Sequence, residues 1–387
     1  MEVTPKDRLM ISLGHKEPDR VPFDLGGTVD SGIHKDAYQN LLTYLGISKK
    51  KVNICEFIQQ AAAVDEDVAR KLNIDTRGVF LSSAADLFYL NMKREKDYET
   101  FTDTFGVKWV KPVVRGLYYD IKVHPLSGNV TLQDIENYKW PGPSSPGLIG
   151  AMKKEVERIF KKDESAIVLA AGDAGIFERA LWIRGFEDFL TDLVASPSLA
   201  TSLLDVLTEM HIRYWDKALD AMGDLVQVVV EADDLGMQSK PFISPKIYRK
   251  YLKPRHKRVF SFIKKKAPNV YIFFHSCGSI YDLIPDLIES GIDILNPVQV
   301  SAAKMDTKRL KKEFGNEITF WGGGCDTQKV LPYGTPQEVR DEVKRRIDDL
   351  ATGGGFIFNT VHNIQADVPP ENIIAMWETL QEYGKYK

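Results

Sequence analysis

The sequence predicts an α/β protein, a (β/α)8 TIM barrel with an N-terminal extension and a β-hairpin insertion, on three observations. Strand-like and helix-like segments alternate four times over roughly 120 residues near the C-terminus, the cadence of half an eight-stranded barrel. The same rhythm can be traced upstream. No G-x-G-x-x-G run follows any strand-like segment, which removes the usual support for a doubly wound open sheet. At 387 residues the chain fits one large barrel domain, 1–387.

Taken in order, Arg20 to Leu25 reads as the first strand, and Ala166 to Ala170 and Leu225 to Val230 as further buried strands followed by helical pattern. Between Phe101 and Leu126 the rhythm breaks. Thr104 to Trp109 and Gly116 to Val123 alternate and turn like antiparallel hairpins, predicting an insertion over 101–126 that caps one end of the barrel. Tyr271 to Phe274 is a short apolar run, followed by Ile280, Leu283, Ile284, Leu287 and Ile288 at helical spacing and a stop at Gly291. Ile292 to Leu295 and Glu317 to Trp321 are the next strands, with a short helix from Thr307 between them. Thr335-Pro-Gln-Glu338 is a capping box opening a helix striped by Val339, Val343, Ile347 and Leu350. Phe356 to Phe358 is strand again, and Pro369-Pro-Glu371 opens a last amphipathic helix.

Composition narrows the function. With 43% hydrophobic and 27% charged residues the chain can bury a full core. Lys and Arg number 51 against 54 Asp and Glu, a net charge of −3, which gives no reason to expect nucleic acid or a membrane surface as partner. No stretch reaches the ~20 apolar residues of a membrane span. Three cysteines are too few for a disulfide framework, and the charged N-terminus lacks a signal-peptide core, so a cytoplasmic location is expected.

The residues with chemistry cluster where barrel strands end. His275-Ser-Cys277 follows the strand Tyr271 to Phe274, placing two metal-capable side chains on one side of extended backbone. Cys325 follows Gly322-Gly-Gly324, a run that permits a tight turn. His275, Cys277 and Cys325 could converge as a three-ligand zinc site with a fourth position open, or pack as ordinary buried residues. Cys55 reads as packing only. Glu231-Ala-Asp-Asp234 ends another strand, and Glu231 or Asp233 is a candidate catalytic acid, a fourth zinc contact or a hydrogen-bond partner for His275; a solvated loop, with Asp234 capping a turn, is the alternative. Asn359, His362 and Gln365, past the Phe356 strand, and Asp173, past Ala170, are candidates for binding a small substrate. Arg179 suits bridging helices. Phe105, Trp109, Tyr118 and Tyr119 of the insertion are placed either to stack on a substrate ring or to pack the hairpin.

Several ordered pieces together resemble the uroporphyrinogen decarboxylase superfamily. They are Glu231-Ala-Asp-Asp-Leu-Gly236, Ser244-Pro-Lys-Ile-Tyr248 with Leu252-Lys-Pro254, Phe274-His-Ser-Cys-Gly278, Gly323-Gly-Cys325, and His362-Asn-Ile-Gln365 with Val368-Pro-Pro-Glu-Asn372. More narrowly, they resemble its corrinoid-dependent zinc methyltransferase branch. The resemblance implies a (β/α)8 barrel and zinc on His275, Cys277 and Cys325. It also implies methyl transfer between a small methylated donor, a methoxylated aromatic for example, and the cobalt of a separate corrinoid protein that docks transiently. A methylcobalamin:thiol methyltransferase of the coenzyme M type, or a decarboxylase-like lyase, is the alternative it leaves open. The decarboxylases carry an early arginine-bearing M-R-Q-A-G-R segment for the acidic side chains of the porphyrinogen. Here that region reads Phe23-Asp-Leu-Gly-Gly-Thr28, without arginine.

Overall fold

The computed structural model of the chain describes residues 3–48, 51–80, 92–142, 146–162, 164–170 and 174–387. A short antiparallel pair, β1 (Ile54–Glu56) and β2 (Ala61–Ala62), stands apart from the central sheet, in which seven parallel strands follow the spatial order β3 (Thr76–Val79), β8 (Ala166–Ala170), β9 (Val228–Ala232), β10 (Tyr271–His275), β11 (Ile294–Asn296), β12 (Thr319–Trp321) and β13 (Phe356–Ile357). Residues 22–24 close it. Phe23 lies parallel to Phe358, Phe358 N donates to Pro22 O at 2.8 Å, Asp24 N to Phe358 O at 2.9 Å, and Asp75 N to Phe23 O at 2.8 Å. The first strand read from the sequence is therefore the seam between the two sheet edges, and the TIM-barrel expectation holds. The strand Thr76–Val79 escaped the sequence reading, because Arg77 and Gly78 interrupt its short apolar run.

Period-two alternation sorts the strand side chains into two cores. Val168, Val228, Val230, Phe273, Ile294 and Trp321 fill the barrel interior. Their neighbours Ile167, Leu169, Val229, Ile272, Phe274 and Leu295 pack outward under the helices. The helix Pro5–Leu13 plugs the end where strands begin: Leu9 and Leu13 join the interior core, Lys6 N donates to Glu164 O, and Ser12 Oγ donates to Phe356 O. Asp75, fully buried there, accepts from Arg8, Arg20 and Phe23 N at 2.7–2.8 Å. With that end stoppered, only the C-terminal ends of the strands are left for a site.

The predicted insertion is present and larger than 101–126. It is a four-stranded antiparallel sheet, β4 (Lys93–Arg94), β5 (Tyr98–Thr102), β6 (Lys108–Pro112) and β7 (Asp120–Val123). Phe101, Trp109 and Tyr119 are buried and pack with one another and with Phe57, while Tyr118 meets His34 edge-on and Phe105 lies under the Arg179 guanidinium. Of the two uses open to these rings, packing the hairpin is the one observed. Among the described residues no single helix is long and apolar enough to cross a membrane.

Candidate metal centre at the barrel mouth

His275 ends β10 and points into the mouth of the barrel. Its Nδ1 lies 2.6 Å from Asn296 Oδ1, and Asn296 Nδ2 donates to Trp321 O at 2.8 Å. The amide is thereby oriented with its oxygen toward the imidazole, so Nδ1 carries the proton and Nε2 keeps its lone pair. That lone pair faces Cys277 Sγ at 3.6 Å and Asp234 Oδ1, also at 3.6 Å. His362 completes the group, its ring centroid 5.1 Å from that of His275. One ligating atom from each of His275, Cys277 and His362 lies within 4.8 Å of the other two. His362 has φ 64°, a backbone region non-glycine residues seldom occupy.

Close loop contact fixes Cys277. Gly278, at φ 87°, abuts Gly236 so tightly that a Cβ on it would lie 2.4 Å from the Gly236 carbonyl carbon, and Asp234 Oδ1 accepts from Cys277 N at 2.8 Å. The resulting cavity, about 190 Å³, is lined by His275, His362, Asp30, Asp234, Glu178, Glu56 and Trp182, among others. Burial, then Asp234, Asp30 and Glu178, push the Cys277 thiol well above the usual range. Burial and neighbouring acids raise the Glu178 carboxyl as well, and burial beside His275 drives His362 down to about 3. Two imidazoles, a thiol that needs a nearby positive charge to ionise, and excess carboxylates together suit a borderline divalent ion such as zinc.

The other sequence candidates lie elsewhere. Cys325 is fully buried in the outer hydrophobic layer, where the charges around its thiol are Glu342, Asp326 and Arg346. The structure does not bring it into the His275 group. The glycine run before it serves close packing: a Cβ on Gly322 would lie 2.3 Å from Pro297 O. Glu231 faces outward and accepts from Trp215 Nε1 at 2.5 Å, with His211 Nδ1 3.1 Å away. Asp233 is fully buried and accepts from Phe177 N, Glu178 N and His256 Nε2 at 2.8–3.0 Å, capping the helix Ile176–Arg184. Neither acid reaches the His275 imidazole.

Asn359 Nδ2 donates to Asp24 O and Ser31 O, bracing the loop that carries Asp30, and Gln365 donates to Asn363 O away from the cavity lining. Asp173 lies outside the described residues. Arg179 lies over the Phe105 and Trp182 rings, joining the insertion to its own helix. Sequence reasoning missed Asn296, Asp30 and Glu178 and gave Asp234 only a turn-capping role. Asp234 was visible in the acidic run, whereas nothing local to the other three marks them.

A closed parallel barrel with an imidazole–thiol group where its strands end has the build of a barrel enzyme. The family model for uroporphyrinogen decarboxylase (URO-D) matches residues 118–383, and the chain belongs to that family. It is 24% identical over 362 residues to a uroporphyrinogen decarboxylase of Geobacter sulfurreducens, covering 91% of this chain and 93% of the relative. It is 25% identical over 271 residues to that of Trichlorobacter lovleyi, covering 66% and 72%. Among solved structures, a methyltransferase from Methanosarcina mazei superposes with TM-score 0.62 at 18% identity over 99% of both chains, a likeness of fold.

Proposed function

We propose that this member of the URO-D family is a cytoplasmic zinc-dependent methyltransferase, moving a methyl group between a small methylated donor and the cobalt of a separate corrinoid protein. The observation that carries the reading is the meeting of His275, Cys277 and His362 at the mouth, with the Nε2 lone pair of His275 set free by Asn296. Zinc held there would draw charge from a substrate heteroatom, making a methyl on it easier to remove or, in the opposite direction, a thiol easier to ionise. The chain's own part is positional. Asn296 fixes the tautomer of His275, Asp234 holds the Cys277 backbone, and Asp234 Oδ1, 3.6 Å from His275 Nε2, stands ready as an additional contact. Trp182 and the insertion behind it wall off one side of the cavity.

Decarboxylation of a porphyrinogen is the reading suggested by the relatives' names. It is disfavoured by a cavity smaller than the roughly 300–1,000 Å³ of drug-sized pockets. It is disfavoured further by Asp30, supplied from the segment next to where the decarboxylases carry arginines.

Metal analysis of the purified protein tests the proposal. About one zinc per chain is expected, lost in Cys277→Ser and His362→Ala and retained in Cys325→Ser. Loss in Cys325→Ser would instead support the ligand set implied by the family resemblance. The zinc form is expected to methylate Co(I) cobalamin from a suitable donor, read by the cobalamin spectrum. A fully active metal-free protein would overturn the reading.

A further inference from the structure

The charge inside the mouth is one-sided. Asp30, Glu56, Glu178 and Asp234 line the cavity, and among its described lining residues there is neither lysine nor arginine. The nearest cations have partners of their own: Arg179, which also acts on Glu178, lies over Phe105 and Trp182 with Asp103 Oδ2 at 3.8 Å, and Lys111 pairs with Glu99 at 3.2 Å. Glu56 is accounted for, since the loop amides of Ile58 and Gln59 donate to it at 2.7 and 2.6 Å.

Asp30 is different. It is 7% exposed and lines the cavity, no hydrogen bond from a described residue reaches its carboxylate, and the imidazole nitrogens of His275 and His362 stand off at 3.8 Å. A largely buried carboxylate that no protein hydrogen bond reaches must take its donors from the cavity, from water or from a ligand. A divalent ion on the His275 group balances two negative charges, the Cys277 thiolate and one carboxylate. Of Asp30, Glu178 and Asp234, two acidic groups are then left facing the cavity, held toward their neutral forms by burial and by one another until a cation enters between them.

We infer that the small substrate of this mouth carries a positively charged ammonium group, which Asp30 and Glu178 receive beside the metal. This rests on the methyltransferase reading for the metal and deepens it by naming the charge of the substrate. It also sets the mouth against sulfonated or carboxylated thiols of the coenzyme M type and against methoxylated aromatic acids.

The test uses three thiols of similar length, 2-aminoethanethiol, 2-mercaptoethanol and 3-mercaptopropionate, bound to the Co(II)-substituted protein and followed by the sulfur-to-cobalt charge-transfer band. The expected result is binding of 2-aminoethanethiol about tenfold or more tighter than 3-mercaptopropionate, with the neutral thiol between them. Asp30→Asn and Glu178→Gln are each expected to reduce that ratio several-fold without loss of the metal. Equal affinities, or preference for the carboxylated thiol, in a protein that holds cobalt would overturn the inference and leave the metal reading standing. If the protein takes up no metal, tetramethylammonium chloride against sodium acetate in a thermal-shift titration decides the matter. Stabilisation by the ammonium alone, abolished in Asp30→Asn, keeps the cationic site and removes the metal, and stabilisation by neither salt removes both.

Discussion

His362 combines an unusual backbone angle, burial and an imidazole neighbour, and its proton affinity follows. Burial and His275 depress its pKa to about 3, against 6.5 for an unhindered imidazole. Between those values the unfolded chain binds more protons than the folded one, so stability rises with pH across that window and is lost as pH falls through it. The same depression keeps the ring neutral near pH 7, the form a metal requires. In metal-free protein, His362→Gln is therefore expected to lose less stability than the wild type between pH 6.5 and 4. Urea denaturation at several pH values, with matched m-values, checks this.

At the scale of the element, the end of β9 shows how one register decides several roles. Four residues, Glu231 to Asp234, carry three acids with three fates: outward to Trp215, into the cap of the helix Ile176–Arg184, and to the mouth beside Cys277. The sequence marked this run as important but could not say which acid meets His275. In a strand each step of one residue reverses the face, and register is set by neighbours far away in the chain. The position of Cys325 depends on distant neighbours in the same way. A cysteine after a glycine run looks available, yet Gly322 and Gly323 turn the backbone against Pro297 and Val298. His275 and Cys277 were legible because two residues apart on an extended backbone is a local rule.

The Asp233 cap has its own consequence. Its carboxylate satisfies two helix amides and His256, whose Nδ1 in turn meets Tyr248 OH at 3.1 Å, and Asp233 N donates to His275 O at 2.9 Å. Asp233→Ala should destabilise the fold by about 3 kcal/mol through the buried donors left behind. Asp233→Asn should cost less, measured by urea unfolding. Because the helix start that carries Glu178 to the cavity hangs on this carboxylate, zinc affinity should fall in Asp233→Ala although Asp233 touches no ligand atom.

For the whole molecule, the strand–helix rhythm of residues 271–383 was readable because each unit is short, apolar and punctuated by glycine, proline or a capping box. The closure was less so. It depends on Asp75, which ties Arg8 and Arg20 to the first strand under the barrel. Asp75→Ala leaves Arg20 without its carboxylate partner and Arg8 with Asp19 alone, and a loss of about 3 kcal/mol is expected, read as a lower urea midpoint. Asp75→Asn restores hydrogen-bond acceptors but not charge, and should fall between.

The pairing of Phe23 with Phe358 joins residues 335 positions apart. At about 5–20 residues per second, a ribosome needs roughly 20–70 s to deliver the second after the first. During that interval the nascent chain presents two unpaired sheet margins, and no metal pocket exists, since His362 follows Phe358 by four residues. Chaperone demand during synthesis, rather than the stability of the finished barrel, is where a lengthened C-terminal half would first be felt.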